Sequence, residues 1–237
     1  CSPGKWSDEV GLSSDNQCTE CVQGHFSIAG EGQIKIGVCD NKCSVGKWSD
    51  KTGLTSDDQC TPCVGGRYSI IVEKGQTSVD VCLACDAGRY SIAGNTQTSI
   101  HVCKACSAGL YSTSGEAQTL PSVCKPCQAG TYSDSGSGQT SSSVCKKCIG
   151  GTFSKETGVT SEDKCKPCTK IGYFCREGAT NEDEKCPQGT YADEPGLGEC
   201  KVCPEGYYQP ELAQTNCSAC EKGTFLSDKN SPIYHGE

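Results

Sequence analysis

The sequence predicts a small disulfide-rich, mainly β protein. The expected architecture is a linear tandem array of short hairpin units, each stapled by one disulfide, forming an elongated rod with almost no helix. Three observations carry this prediction. Leu, Ile, Val and Phe supply only 35 of the 237 residues, and a share of about 15% lies below the roughly 20% at which a chain usually builds a packed core. The chain holds 23 cysteines, a density found where covalent staples replace a core. Those cysteines recur in phase along the whole length.

Aligned on cysteine, the chain falls into lines such as CSPGKWSDEVGLSSDNQ from Cys1 and CVQGHFSIAGEGQIKIGV from Cys21. Each line is closed by a cysteine, and the next usually opens three residues later; one linker, Cys39 to Cys43, is longer. The steps between opening cysteines are 20, 22, 20, 22, 21, 21, 21 and 20 residues. The units are residues 1–20, 21–42, 43–62, 63–84, 85–105, 106–126, 127–147 and 148–167, an atypical unit 168–185, short units 186–202 and 203–219, and an incomplete unit 220–237. The atypical unit carries an extra Cys175, and Cys220 is expected to pair beyond Glu237. Met is absent and the chain opens on Cys1, so an internal or processed piece of a longer secreted protein is expected. Stacked repeats are expected to touch only their neighbours.

Each unit opens C-x-x-G-x-aromatic, usually followed by Ser. A Gly at one fixed place, from Gly4 to Gly223, points to positive φ or close backbone approach. The aromatics run from Trp6 to Phe225 and are nearly the only large apolar side chains. Each ring is expected to pack on the disulfide and on the neighbouring unit. The residues after the ring are rich in Gly, Ser, Thr, Asn and Asp, which favour turns over helix, so a small hairpin is expected in each unit. The Gln-Thr pairs at Gln76, Gln97, Gln118 and Gln139 are expected to fix its second strand with backbone-like hydrogen bonds.

A unit that repeats indefinitely most simply closes on itself. That reading pairs Cys1–Cys18, Cys21–Cys39, Cys43–Cys60, Cys63–Cys82, Cys85–Cys103, Cys106–Cys124, Cys127–Cys145, Cys148–Cys165, Cys186–Cys200 and Cys203–Cys217, leaving Cys168–Cys175. A crossed pattern linking neighbouring units is the alternative, since spacing alone does not fix connectivity. A loop of about 17 residues closed by a disulfide is worth roughly 3 kcal/mol by chain entropy.

The pattern C-x-x-G-x-Y-S…C-x-x-C resembles the ephrin-receptor-like cysteine-rich repeat, most closely in CPEGYYQPELAQTNCSACEKGTF, residues 203–225. CTKIGYFCREGATNEDEKCPQGTY resembles a variant found in long arrays of that family. The unit is also similar to the single-disulfide module of tumour-necrosis-factor receptors. Such repeats occur in receptor ectodomains and in very long surface proteins of protists and algae. No kinase, ligand-binding or fibronectin-like domain accompanies them in these residues, so the resemblance implies fold and compartment better than it implies a ligand.

Composition excludes other classes. The net charge is −8 and no basic stripe exists, which argues against nucleic acid. No apolar run approaches the roughly 18 residues of a membrane span, so no membrane insertion is expected in this segment. Nine C-x-x-C pairs occur, and two neighbours taken singly match a four-cysteine zinc site. A continuous ladder of zinc sites would alternate in twos, and the 21-residue repeats do not. Redox catalysis by C-x-x-C needs a partly exposed, electropositive setting, usually with a thioredoxin-like βαβ context. No metal, no cofactor and no catalytic residue are therefore expected. His25, His101 and His235 read as surface residues, and Asp57-Asp58 and Glu182-Asp183-Glu184 as solvated turns. Candidate glycosylation positions are Asn216, in the sequon Asn216-Cys217-Ser218, and the Ser/Thr-rich turn with Thr140 and Ser141. The linker lysines Lys104, Lys125, Lys146, Lys147 and Lys166 are expected to face acidic residues of adjacent units or solvent.

The function expected is a non-catalytic structural segment of an extracellular or cell-surface filament, self-associating or binding other extracellular proteins or glycans. The alternative is the ectodomain or stalk of a receptor or adhesin with a protein or glycan ligand. Ile70-Ile71-Val72, Ile34–Ile36 and the atypical unit are the candidate contact residues for that alternative.

Overall fold

The computed structural model describes residues 1–224. Two compact units comprise Cys1–Cys106 with Thr113–Val123, and Ser107–Ser112 with the chain from Cys124 onward. Both are built from one construction: eleven two-stranded antiparallel hairpins and, among the described residues, eight single-turn 3-10 helices and no α-helix. Cys220 is the one free cysteine among the described residues. Bridges join Cys1–Cys18, Cys21–Cys39, Cys43–Cys60, Cys63–Cys82, Cys85–Cys103, Cys127–Cys145, Cys148–Cys165, Cys168–Cys175, Cys186–Cys200 and Cys203–Cys217. Cys106 and Cys124 are also disulfide-bonded.

Each hairpin starts just after the repeated glycine. In the first repeat, Lys5–Trp6 pairs with the linker Thr19–Glu20, Trp6 opposite Thr19. The next opening cysteine then donates its N–H to the glycine carbonyl, Cys21 to Gly4 at 2.9 Å, and the same bond recurs as far as Cys220 to Gly206. Two-residue strands have no independent stability, so packing must hold them.

That packing links one repeat to the next. In five repeats the ring lies on the disulfide of its successor. Phe26 clusters with Cys43, Cys60 and Leu54, and Tyr68 with Cys85 and Cys103. Tyr132 clusters with Cys148, Cys165 and Val159, and Phe153 with Cys168, Cys175 and Ala179. Half-buried Trp48 rests on Cys63, Val81 and Cys82. Burying one such ring is worth about 1.5–3 kcal/mol, comparable with closing the disulfide loop.

The residue after the ring completes the joint. Ser27, Ser49, Ser69, Ser91, Ser112, Ser133 and Ser154 are buried, because their backbone meets the next repeat. Ser27 N–H donates to Leu54 C=O at 3.0 Å, Ser69 to Gln97 at 2.8 Å and Ser154 to Ala179 at 3.1 Å. The Ser hydroxyl turns back to accept the N–H two residues on, Ala29 to Ser27 Oγ at 3.2 Å and Ile71 to Ser69 Oγ at 3.2 Å. A small residue with a local acceptor suits this place. In the atypical repeat Cys175 occupies it, its N–H bonding Leu197 C=O at 2.9 Å.

Two expectations are corrected here. The Gln-Thr pairs do not fix the second strand, which is the linker between closing and opening cysteines and pairs with the ring residue and the one before it. Instead the main chain of Gln76, Gln97, Gln118 and Gln139 accepts from the Ser of the preceding repeat, while each side chain closes its own turn, as in Gln76 Nε2 to Glu73 C=O at 3.2 Å. Repeats also touch beyond their neighbours. A Cβ on Gly46 would sit 2.9 Å from the carbonyl oxygen of Thr96, two repeats on, and a Cβ on Gly24 would overlap the Gly75 carbonyl. The repeated glycine thus meets both demands, with φ +81° at Gly46 and +72° at Gly24.

Two substitutions separate these demands. Gly32 has φ +73° and open space around it, whereas Gly24 has the same φ and faces the Gly75 backbone. Gly32→Ala is expected to cost about 1–2 kcal/mol, the left-handed penalty alone. Gly24→Ala is expected to cost clearly more, about 3–4 kcal/mol, and to expose the amides of Cys43 and Gly75, which donate to the Gly24 and Cys43 carbonyls, to hydrogen exchange. Equal costs would show that the close approach does not matter.

Candidate functional surface

Among the described residues, no His, Cys, Asp or Glu side chains gather in threes to hold a metal ion. The recesses that do form are open grooves at joints between repeats. One, about 500 Å³, is lined by Trp48, Pro62, Val64, Arg67, Val79, Asp80, Leu83 and Glu116, among others. A smaller one, about 190 Å³, is lined by Trp6, Glu20, Val22, His25, Ile36 and Asp40, among others. The two occupy the same place in the repeat, two repeats apart. Trp6 matches Trp48, Val22 matches Val64, His25 matches Arg67 and Ile36 matches Val79. Each pairs an indole and aliphatic walls with two carboxylates. Arg67 is held by a hydrogen bond to the Cys82 carbonyl at 3.0 Å. A third groove, lined by Phe153, Lys155, Glu156, Lys164 and Lys166, is basic instead.

Acidic side chains also tie the hairpins. Asp15 accepts from Ser2 N–H at 2.6 Å and from Ser2 Oγ at 2.9 Å, and lies 3.0 Å from Lys5 Nζ. Two repeats on, Asp57 accepts from Ser44 N–H at 2.7 Å and pairs with Lys47 at 2.7 Å. Glu182 accepts from Thr169 N–H at 2.7 Å in the atypical repeat. In each case a carboxylate reaches the N–H just after the opening cysteine. Within the turns expected to be solvated, Asp57 pairs with Lys47, Asp183 with Lys170 and Glu184 with Arg176.

These contacts set the titration. The Ser2 N–H, then the Lys5 ammonium, hold the Asp15 carboxyl down to about 2 from its ordinary 3.8. Burial opposes ionisation of Asp57, yet Lys47 and the Ser44 N–H outweigh it and bring that carboxyl below its usual range. The Thr52 hydroxyl, with Lys5, lowers Glu20, and the Thr169 N–H lowers Glu182.

The other residues singled out by sequence are distributed as follows. Ile34, Ile36, Ile70 and Val72 are exposed, while Ile71 turns onto the Cys63–Cys82 joint. Asn216 is exposed and its carbonyl accepts from Gln209 Nε2 at 2.7 Å. Thr140 and Ser141 are exposed, and Ser141 Oγ caps the short helix by accepting Ser143 N–H at 3.1 Å. Lys146 pairs with Asp134 at 2.7 Å, inside its own repeat. Phe225 and His235 lie outside the described residues. Sequence reasoning missed a second left-handed position in each repeat. It is usually Gly, as at Gly53 and Gly75, but Thr96, Ala117 and Ala213 also adopt it. The residue just before the bridging Gln, Leu or Val was the signal available.

Residues 189–231 match the family described as tyrosine-protein kinase ephrin type A/B receptor-like. No curated protein matches the chain. The match and the repeated disulfide pattern fit an ephrin-receptor-like cysteine-rich repeat. Many disulfides and this match point to an extracellular location, and no helix of the described residues is long and apolar enough to cross a membrane.

The depressed Asp15 pKa has a direct consequence. A carboxyl lowered on folding contributes stability above its unfolded pKa and loses it as pH falls through the folded value. The Ser2–Asp15 closure is therefore expected to hold at pH 5 and open between about pH 4 and 2, read as a carboxyl NMR titration with a midpoint about 2. In Lys5→Ala the midpoint is expected to rise while staying below 3.8, because the Ser2 N–H remains.

Proposed function

We propose that this ephrin-receptor-like cysteine-rich array is a non-catalytic structural segment of an extracellular filament or fibre. The observation that carries the reading is repetition without a singular site. One joint, a ring on the next disulfide, recurs from Phe26 to Phe153. The recesses are shallow grooves formed by the repeat itself and reappear at equivalent places. Material built this way resists proteolysis, because the backbone is held by covalent loops and by hydrogen bonds to the next repeat. It can also be extended by adding repeats without redesigning a core.

A second reading, the ectodomain or stalk of a receptor or adhesin, is favoured by the family match, whose description is that of a receptor. The exposed Ile34, Ile36, Ile70 and Val72 would supply its contact surface. Electron microscopy of native, non-reduced material from the source cell discriminates the two. Filaments with an axial repeat that frays on mild reduction are expected under the structural reading. Single molecules that never self-associate, and that bind one cell-surface partner through the isoleucine surface, would overturn it in favour of the receptor reading.

A further inference from the structure

The two tryptophan grooves are alike in chemistry, and the chain also carries their complement. Trp6 and Trp48 are the only tryptophans, and each stands half-buried in its groove. Aliphatic walls flank them, Val22 and Ile36 in one and Val64 and Val79 in the other, all exposed. Exposed carboxylates complete the lining, Glu20 and Asp40 in one groove, Asp80 and Glu116 in the other; Glu20 also meets Lys5 and Thr52, and Arg67, turned to the Cys82 carbonyl, lines the second groove. An indole face, an aliphatic wall and a carboxylate together suit a lysine side chain. The stem lies along the wall while the ammonium meets the ring face and the carboxylate.

Lysines of that kind are presented elsewhere in the same chain. Residues 1–84 carry 11 acidic and 7 basic side chains, whereas residues 85–167 carry 6 acidic and 8 basic. Most of that shift is a loss of acids spread over the repeat, but one position gains lysine consistently. The linker residue opposite the ring is Thr19, Asn41, Thr61 and Leu83 in the early repeats and Lys104, Lys125, Lys146 and Lys166 in the next four. Lys125 and Lys166 are exposed, lie opposite Tyr111 and Phe153 in their hairpins, and are two repeats apart, as are the two grooves. Lys166 shares its surface with Lys155 and Lys164. Grooves in which carboxylates outnumber cations thus stand two repeats apart in one part of the chain, and Lys125 and Lys166 project two repeats apart in another.

We propose that the grooves at Trp6 and Trp48 receive Lys125 and Lys166 of a second copy of this chain. The proposal rests on the structural reading above and names its lateral contact. A single exposed ion pair is weak, but two grooves filled in register act together, because the second engagement is intramolecular. Salt must weaken the contact, since the carboxylates and lysines are exposed.

The tryptophans report on the contact without a label. Sedimentation velocity and tryptophan emission are recorded on the intact chain between 20 and 500 mM salt. Wild type is expected to associate at low salt with a shift in emission, and to lose at least tenfold in affinity at high salt. Lys125→Glu with Lys166→Glu, and separately Asp40→Lys with Asp80→Lys, are each expected to lose at least tenfold at low salt. An equal mixture of the two variants should recover association, because each supplies the partner charge the other lacks. The substituted residues are exposed, and unchanged non-reducing mobility checks that the staples are intact. Failure of the mixture to recover would overturn the proposal, as would a monomer at every salt or association with unshifted emission. If emission responds to a neutral oligosaccharide or to an unrelated lysine peptide but not to a second copy, the occupant is wrong. If both variants assemble as wild type does, this contact falls while the filament reading survives through another surface.

Discussion

The contact on which everything else depends is an aromatic ring lying on the disulfide of the following repeat. A chain with so few large apolar residues cannot form a central core. It forms instead a series of two-part cores, each a ring from one repeat and a cystine from the next, as Phe26 does with Cys43 and Cys60. The position after the ring is then usually small, a buried Gln209 being the exception, because its backbone bonds the same neighbour, and the repeated glycine lacks a Cβ where a later repeat's backbone passes against it, as at Gly24 and Gly46. Disulfide, ring, Ser and Gly are thus four parts of one joint, and their spacing follows from it.

Much of this was legible in the residues. The phase of the cysteines, the single ring per repeat and the fixed glycine predicted hairpins stapled in tandem. The partner of the Gln-Thr pairs was not legible. A sequence shows that Gln76 recurs as Gln97, but it does not show that its main chain, rather than its amide, makes the contact. The second left-handed position was hidden because Thr96, Ala117 and Ala213 hold it without glycine. The contact between alternate repeats was hidden as well, since it is made by backbone atoms that leave no side-chain signature. The acid-to-N–H closure at Asp15, Asp57 and Glu182 was invisible for another reason. Those acids lie 13 residues from the N–H they accept, and nothing in composition separates them from solvated ones.

The grooves show how a repeat acquires chemistry without losing its fold. Ring, disulfide and Ser are occupied by the joint, so variation is confined to the residues that face outward. These are the residue after the opening cysteine, the one after the repeated glycine and the linker. Changing the linker from Thr61-Pro62 to Lys166-Pro167 leaves the hairpin register the same and adds a cation to the surface. Charge and apolar exposure can be tuned repeat by repeat at little cost in stability, as surface substitutions usually are.

The central claim is that each ring protects the disulfide of the next repeat rather than its own. The direct measurement is the rate of reduction of individual disulfides in Phe26→Ala, followed by alkylation and mass mapping. The account predicts that Cys43–Cys60 is reduced about tenfold faster or more, which corresponds to about 1.4 kcal/mol or more of lost protection. Cys21–Cys39, in the same repeat as Phe26, should change far less. Faster reduction of Cys21–Cys39 with Cys43–Cys60 unchanged would contradict the account, for the ring would then serve its own staple and the repeats would be independent beads.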